Sequence, residues 1–238
     1  MKTLSIECSA TPCSVAITDN DKVLASSFIN VKLTHSQTLI PMVEALLKSA
    51  NVKLSEIEGF AVSAGPGSFT GIRIGISAIK GLAQAKKIPC ASVSTLEAIA
   101  YNFIDTDCIV CAVMDARCNQ VYNALFKVKN GEIERLCPDR ALMCDELSNE
   151  LSNLLNEENL KVFIAGDGTD VFYPFAENIK NVIKSFESRR YQSAIGVSLA
   201  SINDFDKGNT ISPEKLLPIY LRLPQAEREL KQKKELKK

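Results

Sequence analysis

The segment GPGSFTGIRIG, residues 65–75, is the most informative stretch of this chain. It follows a short apolar run, residues 59–63, that predicts a buried strand, and it leads into a long apolar segment, residues 71–87, that predicts a helix. A glycine-rich turn between a strand and a helix N-terminus presents backbone N–H groups with no side chain in the way. Such a turn suits a bound anion or the close approach of another backbone. A tight turn whose glycines only relieve steric crowding is the alternative.

Two better-known phosphate loops are excluded by spacing. A Walker A loop requires a lysine after its last glycine, whereas Gly71 is followed by Ile72 and Arg73. The dinucleotide fingerprint requires G-x-G-x-x-G, and the spacing of Gly65, Gly67 and Gly71 is one residue too wide.

The composition is that of an ordinary globular protein, with 46% hydrophobic and 24% charged residues in a chain of 238. This length allows one large domain or two modest ones. The formal net charge is zero, so nothing in the chain as a whole indicates nucleic acid or membrane as a direct partner. Residues 228–238 differ, because six basic and two acidic residues give them a net charge of +4. A solvated helix end is the predicted role of this tail, with contact to RNA or an acidic partner as the alternative.

Glu7 interrupts the N-terminal apolar stretch before a secretory signal could form, and no apolar run approaches the roughly 18 residues of a membrane span. We therefore predict a cytoplasmic protein without membrane contact. The eight cysteines are too sparse for a disulfide scaffold, so we expect reduced thiols. Cys108 and Cys111 form a C-x-x-C pair in an apolar run that predicts a strand, where residues three apart point to opposite faces. With one histidine, His35, no metal site is predicted.

The order of predicted elements occurs twice. Each half contains three short strands, a helix, a further strand ending in glycines, and another helix. The first half has strands at 4–8, 13–18, 22–28 and 59–63 and a helix at 35–50; the second has strands at 108–114, 120–127, 132–137 and 161–165 and a helix at 144–156. Tandem β-β-β-α-β-α units are typical of the actin, Hsp70 and sugar-kinase superfamily (ASKHA, or ribonuclease H-like), an α/β fold of two lobes flanking a cleft.

We predict an N-terminal lobe at residues 1–105 and a C-terminal lobe at residues 106–238, each a mixed five-stranded sheet flanked by helices. The last helix is expected to pack back on the N-terminal lobe. In active members of the superfamily, the hairpin turns carry acidic and hydroxyl residues that bind phosphate and its metal, and glycines lie against the adenine. The corresponding candidates are Glu7, Ser9, Thr11, Asp115, Gly166 and Gly168. Structural roles are the alternative, since Glu7 and Asp115 can cap turns and Gly166 can end a strand.

Residues 65–75 closely resemble the signature of the bacterial TsaB (YeaZ) family. Further matching segments are HS (35–36), KGLA (80–83), SVSTLEAIA (92–100), MDAR (114–117) with VY (121–122), PIYLR (218–222) and AE (226–227). The chain departs from the family at Glu7, where aspartate is usual, and at CNQ (118–120), where a basic-Gly-Glu stretch is commoner. Both departures argue against a working nucleotide site.

The resemblance implies a subunit without chemistry of its own in the formation of N6-threonylcarbamoyladenosine next to the anticodon of tRNAs. It implies that the subunit binds and activates a metal-containing catalytic paralogue of the TsaD type. An ATPase subunit of the TsaE type completes the assembly, and tRNA is contacted only through the complex. No cofactor is implied for the chain itself, apart from weak nucleotide binding at an interface of the complex. One histidine cannot supply the paired-histidine metal site of the paralogue.

The predicted helix after the glycine-rich turn has one narrow polar stripe and is apolar elsewhere, a pattern typical of a helix buried on more than one side. The predicted helix at 35–50 also has a broad apolar face. We predict that the two form a helix-bundle surface for the paralogue, or for a second copy when the chain is alone as a homodimer. The predicted surface residues are His35, Leu39, Met42, Val43, Leu46, Gly71, Arg73, Gly75, Ile76 and Lys80. The alternative is that both helices face only the core of their own lobe.

Two other functions are compatible with the sequence. An ATP-dependent kinase or ATPase of the actin-like superfamily is suggested by the duplicated hairpin units with Glu7 and Asp115. A peptidase is the less favoured alternative, because no histidine-activated serine or cysteine nucleophile is evident.

Overall fold

The computed structural model describes residues 1–157 and 160–222, which form two mixed β-sheets with helices packed on them. The first sheet consists of β1 (Lys2–Glu7), β2 (Cys13–Asp19), β3 (Lys22–Ile29), β4 (Gly59–Gly65) and β5 (Cys90–Ser94). Their order is β3-β2-β1-β4-β5, with β1 antiparallel to β2 and parallel to β4. The central strands are buried on both faces, as the apolar run before the glycine-rich turn predicts.

The second sheet repeats this arrangement. It consists of β6 (Cys108–Asp115), β7 (Gln120–Lys129), β8 (Glu132–Arg135), β9 (Arg140–Met143), β10 (Val162–Ala165) and β11 (Val182–Lys184). The order is β11-β10-β6-β7-β8, and β9 also pairs with β7. The predicted α/β fold of two actin-like lobes is therefore confirmed.

The second sheet has six strands where five were predicted, because its outer strand is broken. β8 pairs with Phe126–Lys129 of β7, whereas β9 pairs with the other end of β7, from Gln120 to Asn123. Pro138 lies between the two short strands, and a proline cannot donate to a ladder. The sequence pattern also does not predict β5 or β11, which are only five and three residues long.

The helices in the described residues are α1 (His35–Ser49), α2 (Phe69–Gln84), α3 (Thr95–Ala100), α4 (Cys144–Glu157), α5 (Thr169–Ala176), α6 (Glu187–Arg190) and α7 (Ala194–Asp206). α2 begins two residues before the predicted start, because the Ser68 side chain accepts a hydrogen bond from Gly71 N and caps it. None of the helices in this part of the chain is long and apolar enough to span a bilayer.

Both faces of the first sheet are covered. α1 and α2 pack on one face around Leu4, Ile6 and Phe60, and α3 and α7 pack on the other. α7 comes from the late part of the chain, yet Ser198 on it lies with its hydroxyl 2.6 Å from that of Thr18 on β2. The later segment also returns to the first lobe, since Ile211 pairs with Cys90.

The division at residue 105 separates the strands of the two sheets but not all of the helices, so it stays a prediction as a domain boundary. The predicted last helix and the basic tail at 228–238 lie outside the described residues. Cys108 and Cys111 lie on β6 and belong to clusters on opposite faces of the second sheet, as predicted for a strand.

Candidate functional site

A cleft of about 350 Å³ lies between the lobes, where the β1–β2 turn, the turn before α2 and the β6–β7 turn meet. We call it the interlobe cleft. Its lining residues are Ser9, Ala10, Thr11, Gly67, Ser68, Phe69, Met114, Asp115, Ala116, Arg117, Tyr122 and Asp167. The structure thus brings together three of the predicted residues, Ser9, Thr11 and Asp115, on the walls of one cavity.

The glycines of the segment at 65–75 allow close approach between backbones. Gly67 has a φ of +154°, and a Cβ there would lie 2.5 Å from the carbonyl oxygen of Ser9. Gly65 has a φ of +131°, and a Cβ there would overlap the carbonyl oxygen of Ile219. At Gly71 a Cβ would overlap the carbonyl oxygen of Cys8. These close approaches account for three glycines without a bound anion.

Glu7 lies beneath the cleft and is fully buried. One carboxyl oxygen, Oε1, accepts a hydrogen bond of 2.6 Å from the backbone N–H of Ser9, so Glu7 caps its own turn. The other oxygen, Oε2, has no hydrogen-bond partner among the described residues, and the same holds for the hydroxyls of Ser9 and Ser63. Burial raises the pKa of Glu7 because the charged form loses its hydration.

Asp115 lines the cleft but is occupied by its own turn. Its Oδ1 accepts a hydrogen bond of 2.7 Å from Arg117 N, and its Oδ2 lies 2.9 Å from Arg117 Nη1. The turn is unusual, since Arg117, Cys118 and Asn119 all have positive φ. The contacts hold Asp115 as a turn cap, which is the structural alternative that the sequence left open.

Gly166 and Gly168 do not line the cleft. Gly166 has a φ of +115°, and a Cβ there would overlap the carbonyl oxygen of Val113 on β6. Gly168 donates its N–H to the same carbonyl oxygen at 3.2 Å. Both glycines therefore let the end of β10 approach β6 closely.

Asp167, between those two glycines, lines the cleft and was missed by the sequence reasoning. Burial raises its pKa to about 7, opposed by a hydrogen bond from Gln192 and reinforced by the charge of Asp115. The Gln192 Nε2 donor lies 3.2 Å from Asp167 Oδ1. The available signal was a lone acidic residue in a Gly-x-Gly turn at a strand end.

In active members of the superfamily, carboxylates at these turns bind the metal of a nucleotide, so the engagement of each carboxylate in this chain bears on that chemistry. Such a metal needs carboxylate oxygens as ligands; both Asp115 oxygens are engaged by Arg117, and Glu7, whose Oε2 has no hydrogen-bond partner among the described residues, is fully buried. Across residues 1–157 and 160–222, no group of three or more His, Cys, Asp or Glu side chains could hold a metal ion.

The second candidate site is a shallow cavity of about 570 Å³ between α1 and α2, which we call the α1–α2 groove. It is lined by His35, Ser36, Leu39, Ile40, Thr70, Arg73, Ile74, Ser77 and Ala78. Ile40 is 41% exposed, and Arg73 and Ser77 are also exposed. The groove therefore combines an apolar floor with polar residues at its edge.

Several residues predicted for the partner surface have their side chains in the core of their own lobe. Leu39, Val43, Leu46 and Ile76 belong to the cluster between the first sheet, α1 and α2, and Ile76 is only 4% exposed. Polar substitutions of these core residues are expected to destabilise the fold.

Gly71 and Gly75, also predicted for the partner surface, are buried within the lobe as well. A Cβ at Gly75 would lie 2.7 Å from Cys8 Sγ, so the small residues of α2 approach β1 rather than leave space for another helix. Of the predicted set, Arg73 is exposed, and His35, Met42 and Lys80 are half-buried.

The polar stripe of α2 contacts the late part of the chain. Arg73 Nε donates to the Tyr220 hydroxyl at 2.6 Å, and Lys80 Nζ donates to the backbone oxygen of Glu214 at 3.2 Å. Gln84 Nε2 donates to Glu214 Oε1 at 3.0 Å. Helical spacing predicts the stripe but not this intramolecular partner.

Known proteins are similar to this chain along most of its length. The family model "TsaD: tRNA N6-adenosine threonylcarbamoyltransferase" matches residues 22–226. The chain is 30% identical to the tRNA threonylcarbamoyladenosine biosynthesis protein TsaB of Bacillus subtilis, over 95% of this chain and 96% of that protein. It is also 30% identical to TsaB of Escherichia coli, over 93% and 95% of the two chains. The chain belongs to the TsaB family.

A solved structure agrees with this membership. YeaZ from Pseudomonas aeruginosa has a TM-score of 0.77 and 28% identity, over 92% of this chain and 99% of that one. Three of the segments that carry the TsaB resemblance lie together around the interlobe cleft, at 65–75, 114–117 and 218–222. Contacts between the lobes thus involve three of the segments that carry the family resemblance.

Proposed function

We propose that this chain is the non-catalytic subunit of the complex that forms N6-threonylcarbamoyladenosine next to the anticodon of tRNAs. The observation that carries the proposal is the similarity along nearly the whole chain to proteins named for threonylcarbamoyladenosine biosynthesis. The chain binds and activates a metal-containing catalytic paralogue of the TsaD type. An ATPase subunit of the TsaE type completes the assembly, and tRNA is contacted only through the complex.

The cleft chemistry favours a non-catalytic role over the ATPase alternative. Asp115 is tied to Arg117, and Glu7 has one oxygen on a backbone N–H and lies out of reach of solvent. We infer that the burial of Glu7 and the pairing of Asp115 with Arg117 keep both carboxylates from positioning a metal or a water molecule against a phosphate. Any nucleotide bound here would be held weakly, without a cofactor belonging to the chain itself.

The α1–α2 groove is the proposed partner surface. A partner of the same fold would present corresponding helices, and Ile40, Ile74 and Ala78 offer it an apolar strip between α1 and α2. Arg73 and Ser77 lie at the edge, where polar residues surround the apolar centre of a protein interface. In the absence of the paralogue, the same face joins two copies into a homodimer.

Reconstitution tests the function. The paralogue, the ATPase subunit, threonylcarbamoyl-adenylate and tRNA are mixed with and without this chain, and the digested tRNA is analysed by mass spectrometry. We expect the modified nucleoside only when the chain is present. Equal yield without it would overturn the proposal.

The interface is tested with a matched pair of variants. Ile40→Glu places a charge in the groove, and Leu54→Glu places the same charge at a site of similar exposure, 41% against 38%, outside the groove. We expect Ile40→Glu to lower the affinity for the paralogue at least tenfold, as read from co-elution at several concentrations, because a carboxylate would be desolvated at the interface. Leu54→Glu should bind normally. Equal binding by both variants would exclude the groove.

A further inference from the structure

We infer that the strap, residues 216–222, is an interlobe clamp that couples the exposed face of α2 to the β6–β7 turn of the second lobe. The inference concerns the isolated chain and does not depend on the proposed function. It rests on the path of the strap, on its contacts with both lobes, and on how little of it is buried beyond those contacts.

The strap is first seated on the end of β4. Leu216 is fully buried in the core of the first lobe. Ile219 donates its backbone N–H to the carbonyl oxygen of Ala64 at 2.7 Å. The carbonyl oxygen of Ile219 occupies the space where Gly65 has no side chain. The glycine thus forms a cradle for the strap backbone.

Tyr220 then contacts both candidate sites of the first lobe. Its ring lies with its centroid 4.5 Å from that of Phe69, which lines the interlobe cleft. Its hydroxyl accepts the 2.6 Å hydrogen bond from Arg73 Nε, and Arg73 lines the α1–α2 groove. One side chain of the strap therefore connects the cleft and the groove.

The next two residues reach the second lobe. Leu221 packs against the cluster that contains Met114 and Ala116. Arg222 Nη1 donates to the carbonyl oxygen of Ala116 at 2.9 Å, and Ala116 lines the opposite wall of the cleft. The path from Arg73 to Ala116 is thus continuous through three consecutive residues of the strap.

Beyond the buried Leu216, the strap is held by these few contacts and not by deep burial. Between its anchors, Leu217 is 65% exposed, and Ile219 and Tyr220 also present exposed side chains. Residues 217–222 can lift from the surface while Leu216 stays in the core, at the cost of a few hydrogen bonds, one ring contact and the packing of Leu221. Coupling between two sites requires a segment with two arrangements that both sites influence, and the bound and detached arrangements of the strap would be these two.

Hydrogen exchange on the full chain tests the coupling. Arg73→Gln and Tyr220→Phe both remove the Arg73–Tyr220 hydrogen bond in the first lobe, and the readout is the β6–β7 turn in the second. There, Ala116 N donates to Gln120 O and Gln120 N donates to Arg117 O. We expect both variants to speed exchange of these amides about threefold to tenfold, since one hydrogen bond stabilises the bound arrangement of the strap.

Lys80→Gln is the matched control, because Lys80 lies on the same stripe of α2 but contacts Glu214, before the strap begins. It should leave exchange in the turn unchanged. Arg222→Gln should also speed amide exchange in the turn. Arg222→Lys should speed it less, because lysine keeps a donor near the Ala116 carbonyl oxygen. Light scattering at the same protein concentration shows whether the oligomeric state of the variants is equal.

Unchanged exchange in the turn of either first-lobe variant would overturn the inference, as would an equal effect of Lys80→Gln. The exchange experiment uses the chain without the paralogue, so its result does not depend on whether the complex forms. The failure of this inference is therefore distinguishable from the failure of the proposed function.

Discussion

The imidazole Nε2 of His35 lies 2.7 Å from the carbonyl oxygen of Ala10. His35 begins α1 and lines the α1–α2 groove, whereas Ala10 lies in the β1–β2 turn and lines the interlobe cleft. The two candidate sites therefore share a wall. The single histidine of the chain, at the start of α1, is engaged with backbone at this wall.

The buried face of α2 is predicted to be essential for folding. Ile76→Glu would place a carboxylate in the core of the first lobe, and we expect a loss of about 3 kcal/mol or more in unfolding free energy. Urea denaturation followed by circular dichroism measures it. Ile40→Glu, on the exposed side of α1, should change stability by less than about 1 kcal/mol. Comparable stability of the two variants would show that Ile76 is not a core residue.

Two glycines of the first lobe should respond to alanine in opposite directions. Gly65→Ala forces a side chain into a positive φ and against the backbone of Ile219, so we expect a loss of about 1 to 3 kcal/mol. Gly81 lies within α2 with open space at its Cβ position, so Gly81→Ala should gain about 0.5 to 1 kcal/mol. Thermal and urea unfolding measure both. An unchanged stability of Gly65→Ala would contradict the close approach to Ile219, and a loss at Gly81 would contradict the open space there.

Asp167 should make the chain less stable as the pH rises. Its pKa is raised to about 7 in the folded state, above the unfolded value, so the folded state binds the proton more tightly. Its contribution is full below about pH 4 and is lost as the pH rises toward 7. Asp167→Asn should therefore be the more stable protein at pH 8, by roughly 2 to 4 kcal/mol, and its stability should vary less between pH 4 and 7.

A neighbouring aspartate provides the control for this titration. The pKa of Asp170 is lowered, chiefly by a hydrogen bond from Lys184, so its contribution is present above the unfolded pKa and is lost as the pH falls. Asp170→Asn should accordingly be less stable than the parent at pH 8. Unfolding by urea at several pH values measures both variants. Identical pH profiles for Asp167→Asn and the parent would rule out a raised pKa.

The purified chain is expected to hydrolyse ATP no faster than a buffer blank. The reason is that Glu7 is fully buried and Asp115 is paired with Arg117, so neither carboxylate is available to a metal-bound phosphate. Release of inorganic phosphate measures the rate. Turnover that disappears in Glu7→Gln, while the variant remains folded, would favour the ATPase alternative.

Much of the fold follows from local pattern. The alternation of short apolar runs with turn residues such as Asn130-Gly131 predicts the hairpins, because strand periodicity and positive φ are properties of a few neighbouring residues. The duplicated order of elements then predicts two lobes and a cleft, and the predicted residues Ser9, Thr11 and Asp115 do line it.

The break in the outer strand of the second sheet was not predictable in this way. β8 and β9 are four residues each and are defined by which half of β7 they pair with. Asp167 was missed for a related reason, since its raised pKa depends on burial beside Gln192 and Asp115 from other elements. A single aspartate between glycines carries no such information.

The sequence by itself determined the duplicated order of the longer strands and helices, the glycine-rich turn and the apolar character of α1 and α2, because each depends on residues close together in the chain. Only the tertiary structure decided which side of α2 is buried, since Gly75 and Ile76 pack against β1 and its neighbours rather than another chain. The tertiary structure also decided the role of the glycines, which is to allow close contact between backbones. Gly65 lies against Ile219, more than one hundred residues later, and a packing contact of that kind leaves no periodic signal in the sequence.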